Sequence, residues 1–320
     1  MPNENEKAKH KSKIGGQALI EGVMMKGAFK AAMACRLPNG EIDVEIWDEK
    51  NGSNAPWYRK VPFIRGIFNL IFSLKDGYRC LMKSADKQVE EDDEEDMSKF
   101  EKWLNDKLGD KIMGIVSAIA MVLGIVISLF LFKFIPTFIS KPLDDMTILR
   151  TIVEGLLKIA IFIGYLALTS LLKDIKRTYE YHGAEHKTIA CHEAGEELTV
   201  ENVKKHVRFH PRCGTSFMFI ILFISIFTSC FIPKFAELSA AAKIAARLGI
   251  QFALIPLIVG ISYELIRLAG RYDNFFTRAI SFPGIQLQHL TTREPDASQI
   301  EVAIAAMKPC IPENPEEDQW

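Results

Sequence analysis

The stretch YHGAEHKTIACHEAG, Tyr181 to Gly195, holds three of the chain's seven histidines and the pattern His-x-x-Glu-His. A helical residue advances about 100°. His182 and His186 are then neighbours on one face, with Glu185 close beside them. Two imidazoles one turn apart can share a cation, and a carboxylate beside the second can take a proton from water. The order is the inverse of the commoner zinc-peptidase motif. Five of the seven histidines (182, 186, 192, 206 and 210) lie between residues 182 and 210. His210 and Cys213 stand three apart in His-Pro-Arg-Cys-Gly, where proline and glycine favour a turn, and they resemble a second ligand pair. His182, His186, His210 and Cys213 are therefore the expected metal ligands. Glu185 is the expected base, and Lys187 or Arg212 the cation that steadies developing negative charge. Four ligands would close a structural site, whereas three would leave a position for chemistry. Nitrogen and sulfur donors favour zinc. If the helix continues, Glu193 returns to the His186 face as a carboxylate ligand. If it ends earlier, Cys191 merely packs.

The elements that must position these groups are apolar. A helix that spans a bilayer needs about 20 apolar residues, and four segments qualify: 112–132, 151–172, 215–232 and 245–269. Glu154 and Lys158 share a face of the second and can pair or snorkel. Glu264 and Arg267, three apart near the end of the fourth, suggest a helical ion pair. Residues 61–74, split by Arg65, are too short to span and read as an interfacial helix. Residues 173–212 carry eight Lys and Arg, against three and two in the flanking connections. That bias puts the His/Cys loop, 173–214, in the cytoplasm and, with four spans, both termini too.

The remaining chain reads as follows. Residues 1–13 are a disordered tail and carry no secretory signal. Residues 14–88 form an N-terminal cytoplasmic segment. It contains a β-hairpin about Pro38-Asn39-Gly40. Residues 89–111 are an acidic linker. Spans one and two fill 112–172, and spans three and four fill 215–269. Residues 270–320 form a C-terminal cytoplasmic segment, polar over 273–294, with an amphipathic helix at 296–308 and a frayed tail. Thr199 is expected to cap a helix through Arg208. The glycines of GGQALIEGVMMKG suit a tightly packed turn. If that segment folds over the His loop, Glu21 becomes a further ligand or base. A net charge of −1 argues against a nucleic-acid partner. The six dispersed cysteines suggest no disulfide framework. The fold class expected is an α-helical integral membrane protein with about four transmembrane helices and a small cytoplasmic α+β portion. Its partner is the lipid bilayer.

The motifs GGQALIEGVMMKG (Gly15 to Gly27), HGAEHK (His182 to Lys187), HPRCGTSF (His210 to Phe217) and PGIQLQHLTTREPDASQIEVAIAA (Pro283 to Ala306) resemble the YqhQ-like family of bacterial membrane proteins, in the same order and over nearly the whole chain after residue 13. The resemblance implies a metal-dependent enzyme of the bacterial cell membrane and names no substrate. The expected function is a metal-dependent hydrolase at the cytoplasmic membrane surface. The alternative is a membrane assembly or regulatory protein whose metal only staples the loop.

Overall fold

The computed structural model describes residues 10–88, 111–143, 147–233 and 239–319. The expected acidic linker falls almost wholly outside them, as do residues 1–9. Four strands, β1 (Gly15–Leu19), β2 (Gly22–Lys26), β3 (Lys30–Arg36) and β4 (Ile42–Asp48), form an antiparallel sheet in sequence order. The expected hairpin is β3–β4, whose connection turns at Gly40 with φ 88°. It is half of a larger sheet. The glycine-rich segment read as a packed turn is a second hairpin, β1–β2, closed by Ile20 and Glu21. Without side chains on Gly15, Gly16 and Gly22, its apolar alternation is too sparse to read as strands.

The sheet is covered on both faces, which explains the near-continuous apolar run of β3. Val23, Met25, Ala32 and Ala34 pack in one cluster with Tyr181, Ala184, Ile300 and Ala303. Leu19, Met24, Met33 and Cys35 pack on the other face with Cys80. Cys80 belongs to α1 (Ile64–Asp86), which buries Gly66, Gly77, Cys80 and Ser84 and leaves Ile71, Leu74 and Tyr78 exposed.

Next come α2 (Lys111–Leu129), a π-helical turn at Phe130–Phe134, α3 (Ile135–Ile139) and α4 (Thr147–Thr169). The His-bearing segment is α5 (Lys173–Glu193), followed by α6 (Val200–Lys205). Thr199 caps α6 as expected, its side chain accepting from Asn202 N at 3.3 Å, but the helix stops at Lys205 rather than Arg208. Then follow α7 (Gly214–Ser229), α8 (Ala240–Arg271), α9 (Phe275–Thr291) and α10 (Ala297–Met307).

Among the described residues, three helical stretches are long and apolar enough to cross a membrane: Ile119–Ile139, Ile148–Thr169 and Ala245–Arg271. The helix that begins at Lys111 covers the expected first span and continues past residue 132, through the π turn and Pro136, to Ile139. The expected third span is the shorter apolar helix α7, of 16 residues, which ends in a turn at Cys230. The polar segment at 273–294 is mostly helix α9. Its start is fixed by an Asn274–Thr277 capping box, and Pro283 sits inside it. Nor is the C-terminus frayed: Asp318 is buried and Gln319 bridges to Ser12.

Two expected ion pairs have other partners. Glu264 receives Arg65 Nε at 2.8 Å and Phe63 N at 3.0 Å, which docks α1 on α8. Glu154 receives Arg150 Nε and Ser140 Oγ, each at 3.1 Å, rather than Lys158. Glu264 is thus met from another helix, whereas Glu154 is met from one turn earlier in its own helix.

The C-terminal segment crosses α5 in close contact. Arg293 N donates to Tyr179 O at 2.8 Å, and a methyl group at Gly183 would lie 2.0 Å from Arg293 O. Gly183→Ala must therefore push backbone from backbone. It should lower stability by about 1–3 kcal/mol, seen as a fall in the thermal midpoint of the detergent-solubilised protein. An unchanged midpoint would show that the crossing segment can move aside.

Candidate metal centre

Tyr181, Ala184 and Ile189 fix one side of α5 in the core below the sheet. The other side presents His182, Glu185 and His186 to the turn that enters α7. His182, His186 and Cys213 each offer a donor atom, and these atoms lie within 4.8 Å of one another. His182 Nε2 is 3.2 Å from Cys213 Sγ. The two rings stand edge to face, with centroids 4.4 Å apart.

The far side of each ring decides its tautomer. His182 Nδ1 lies 2.8 Å from Thr291 O, and His186 Nδ1 lies 2.6 Å from Arg208 O. A carbonyl oxygen can only accept, so both Nδ1 atoms carry the proton and donate it. Both Nε2 atoms are thereby turned to the centre, the arrangement that orients imidazole ligands at metal sites. Cys213 is the N-cap of α7, at the positive end of a helix dipole, and has Thr215 Oγ1 at 3.2 Å. The turn holding it is clamped by Gln288 of α9. The Gln288 Oε1 accepts from His210 N at 2.8 Å, and its Nε2 donates to His210 O at 2.8 Å.

Two buried atoms here lack a hydrogen-bond partner among the described residues: Glu185 Oε2 and His186 Nε2. An unpaired buried polar atom costs about 1–3 kcal/mol. His186 Nε2 belongs with His182 and Cys213 to a donor set that a divalent ion would satisfy, and N/S donors fit zinc best, while Glu185 is not one of the three. The glycine segment closes the centre from above. A side chain at Gly16 would meet the Glu185 carboxyl at 3.0 Å, so the glycine lets the strand pass close over it.

The electrostatics follow from this crowding. Burial pushes the Cys213 thiol up, but the charges of His182 and His186 hold it well below its ordinary value. Burial pushes the His182 imidazole down, yet the Cys213 sulfur outweighs that and raises it to about 9. In the metal-free protein the two form a thiolate–imidazolium pair. Burial raises the Glu185 carboxyl against the pull of His186 and His182.

Several expected participants are held elsewhere. His210 is not in the donor group. Its Nε2 lies 3.1 Å from an Arg212 NH group, and burial, Arg212 and the other histidines keep it neutral. Arg212 itself pairs with Glu193. Glu193 also receives Ser12 N at 2.7 Å, so it is no ligand of this centre. Lys187 donates to Lys204 O at 3.0 Å and pairs with Glu294. It is a buried tether, not a cation facing Glu185. Glu21 pairs with Arg177 and accepts from Tyr181 OH at 3.1 Å. Cys191 packs in the core. Sequence reasoning missed Gln288, Thr291, Arg208 and Gly16, because three of them act through backbone atoms or lack a side chain. It also missed a second polar cluster, in which Asp318 accepts from His192 at 2.7 Å and from His10 at 3.1 Å, joining both ends of the chain to α5.

The paired imidazolium gives a pH signature. The folded-state value of His182 lies above its ordinary value near 6.5. Its support for the fold is therefore complete below about 6.5 and drains away as pH rises through about 9. Histidine-selective NMR of the metal-free protein should show one imidazole titrating near 9 that is missing from His182→Asn. If every imidazole titrates below 7, the pair does not exist.

The chain matches, over residues 61–313, a family described as "Protein of unknown function (DUF1385)". It is 33% identical over 305 residues to "Uncharacterized protein YqhQ" of Bacillus subtilis (strain 168), an alignment covering 93% of this chain and 92% of that protein. No solved structure matches. With His182, Glu185, His186 and Cys213 all inside the matched residues and the similarity running nearly end to end, the chain belongs to the YqhQ-like DUF1385 family.

Proposed function

We propose that the protein is a metal-dependent hydrolase seated at the cytoplasmic face of a bacterial cell membrane. His182, His186 and Cys213 hold the ion, zinc by preference. The observation that carries this reading is that Glu185 Oε2 and His186 Nε2, one residue apart on α5, are both buried without a hydrogen-bond partner among the described residues. A divalent ion supplies Lewis acidity that polarises a carbonyl or phosphoryl oxygen and makes water a nucleophile near neutral pH. Glu185 accepts the proton at Oε2. Its raised carboxyl suits a base working near neutral pH. The close approach of the strand at Gly16 and the packed α5 helix confine the carboxylate. Peptide, lipid ester and phosphate ester substrates all fit this chemistry.

A second reading has its own support. Glu185, His186 and Cys213 are only 4%, 1% and 7% exposed, a burial that suits a structural metal stapling the His loop in a membrane assembly or regulatory protein. One set of variants separates the two. Wild type should carry about one zinc per chain by elemental analysis, and His182→Ala, His186→Ala and Cys213→Ala should lose it. Glu185→Gln should keep the metal and the fold but lose about 10²–10⁴-fold in hydrolysis of a peptide, lipid-ester and phosphate-ester panel. Equal hydrolysis by Glu185→Gln leaves the structural reading. Absence of metal from wild type defeats both.

Membrane placement is supported by parity. The N-terminal sheet, α5 and C-terminal α10 share one core, so they lie on one side of the bilayer. An even number of crossings must then separate α1 from α5 and α5 from α10. α2 through α3 and α4 supply the first pair. α8 needs α7 as its partner in the second. The eight Lys and Arg of residues 173–212 favour the cytoplasm as the shared side. Fusions of a reporter active only outside the cytoplasm should be silent at either terminus and active after Ser140. Activity at one terminus alone would mean an odd number of crossings.

A further inference from the structure

A second cluster of ligand-type side chains lies at the C-terminal end of α5, apart from the centre described above. His192 stands in the last turn of α5, His10 in the N-terminal segment, and Asp318 at the end of a 3₁₀ turn (Pro315–Asp318). Each offers a donor atom, and the three atoms lie within 4.8 Å of one another. His192 Nε2 is 2.7 Å, and His10 Nε2 3.1 Å, from the same oxygen, Asp318 Oδ2. The two rings stand edge to face, with centroids 4.9 Å apart. The other carboxylate oxygen, Oδ1, accepts from Ser12 Oγ at 2.7 Å, which fixes its orientation. Burial pushes the Asp318 carboxyl up, but the bonds from His192, Ser12 and His10 outweigh it and hold the group below its ordinary value. Backbone bonds seat the three segments: Lys13 N donates to Asp318 O at 2.7 Å, and His10 N to Glu193 O at 3.3 Å. The carboxylate is buried, whereas the His10 and His192 side chains keep 25% and 15% of their surface exposed.

We propose that His10, His192 and Asp318 form a second binding site, for a divalent transition-metal ion that locks both chain ends onto α5. One imidazole would satisfy Oδ2 by hydrogen bonding, yet two converge on it from segments distant in sequence. Ligand atoms bound to one ion at about 2.0–2.2 Å stand about 2.9 Å apart in octahedral geometry and about 3.4 Å apart in tetrahedral geometry. The 2.7 and 3.1 Å separations are close to the octahedral value, so an ion enters by small side-chain shifts. On binding, each neutral imidazole carries its single proton on Nδ1 and leaves Nε2 free to ligate. Two ring nitrogens and one carboxylate suit zinc or iron(II) better than calcium or magnesium, which take oxygen donors. The part-exposed rings leave a side of the ion for water. The site is separate from the first. His186 and His192 are about 9 Å apart along α5 and about 120° apart around it, whereas the ions of a two-metal catalytic pair stand about 3.5–4 Å apart. The ion acts as a brace. Glu193, next to His192, takes Ser12 N at 2.7 Å and pairs with Arg212, which lies 3.1 Å from His210 Nε2. Holding His10, and with it Ser12, against α5 steadies the turn that carries Cys213. The inference uses none of the ligands of the proposed hydrolase and stands if that reading fails.

Zinc uptake by the detergent-solubilised full chain, measured by equilibrium dialysis and elemental analysis in excess magnesium, tests the site. The part-exposed site releases its ion to a chelator wash that the buried centre resists, so the single zinc per chain expected above is that of the buried centre. Wild type washed in this way should take up about one further zinc per chain. His10→Gln should weaken that uptake at least about tenfold, and His192→Gln should abolish it. The double variant His182→Ala/Cys213→Ala, which dismantles the first centre, should still bind about one zinc, dependent on His10. Zinc should also slow amide hydrogen exchange over residues 10–14 in wild type and leave His10→Gln unchanged. No further zinc in washed wild type, or equal uptake by wild type, His10→Gln and His192→Gln, overturns the proposal. Should the double variant fail to fold, the comparison of wild type with His10→Gln, a substitution at a part-exposed ring, decides alone. Zinc uptake with no change in exchange over residues 10–14 overturns the lock.

Discussion

Two backbone carbonyls, Thr291 O and Arg208 O, hold the centre in register. Each takes the Nδ1 proton of one imidazole, so His182 and His186 can only offer Nε2 to the space between α5 and the Cys213 turn. The carbonyls come from different segments, the end of α9 and the approach to the turn. The centre therefore exists only when both segments are seated on α5. The rest of the domain built on the sheet can be understood as what seats them: Gln288 clamping the His210 backbone, Arg293 bonding across to Tyr179, and the missing side chain of Gly183 that lets that crossing come close.

The surrounding charges serve the same end. Lys187 and Arg208 both reach Glu294, which ties α5, the approach to the turn and the C-terminal crossing together. Arg212 and Glu193 pair beneath His210, and Glu193 also takes the backbone of Ser12. The Arg212–Glu193 pair is buried, and Lys187 is buried where it meets the exposed Glu294; each pair joins separate parts of the chain. Pairs of this kind cost desolvation and stabilise little on balance, but removing one partner leaves the other buried and uncompensated. Their effect is to make alternative seatings of the turn expensive. A site whose Glu185 Oε2 has no partner needs that rigidity, because any slack would let the carboxylate find one.

What could be read from the sequence was whatever repeats along it. The 3.6-residue period placed His182, Glu185 and His186 on one helical face, and the structure keeps α5 intact through all three. The apolar runs located the long helices, and Pro-Arg-Cys-Gly marked the turn that brings Cys213 to them. What failed was the choice among partners. Arg65 of α1 meets Glu264, Arg150 one turn before Glu154 hydrogen-bonds it where Lys158 one turn after was expected, and Arg212 lies against the ring nitrogen of His210 that sequence reasoning assigned to an ion. The first depends on a distant segment, and the other two on which near neighbour arrives with the better geometry. The β1–β2 hairpin was hidden for a different reason: glycines that give Glu185 and Ala34 close backbone neighbours also erase the alternation by which strands are recognised.

The length of α7 links the two ends of the molecule. Sixteen residues rise about 24 Å, short of the roughly 30 Å of hydrocarbon in a typical bilayer. On the proposed placement one of its ends must lie below the head groups or the bilayer must thin around it. The neighbours of the Cys213 end suit the first solution. α1 is bound to the last turns of α8 through Arg65, Glu264 and the Asn69–Tyr263 bond, and it leaves Ile71, Leu74 and Tyr78 exposed as an interfacial helix does. A centre sunk to that level is reached through lipid at least as readily as through water. Its natural substrates would then be amphiphiles, or chains already inserted in the membrane, and the burial of Glu185 from bulk solvent becomes compatible with turnover.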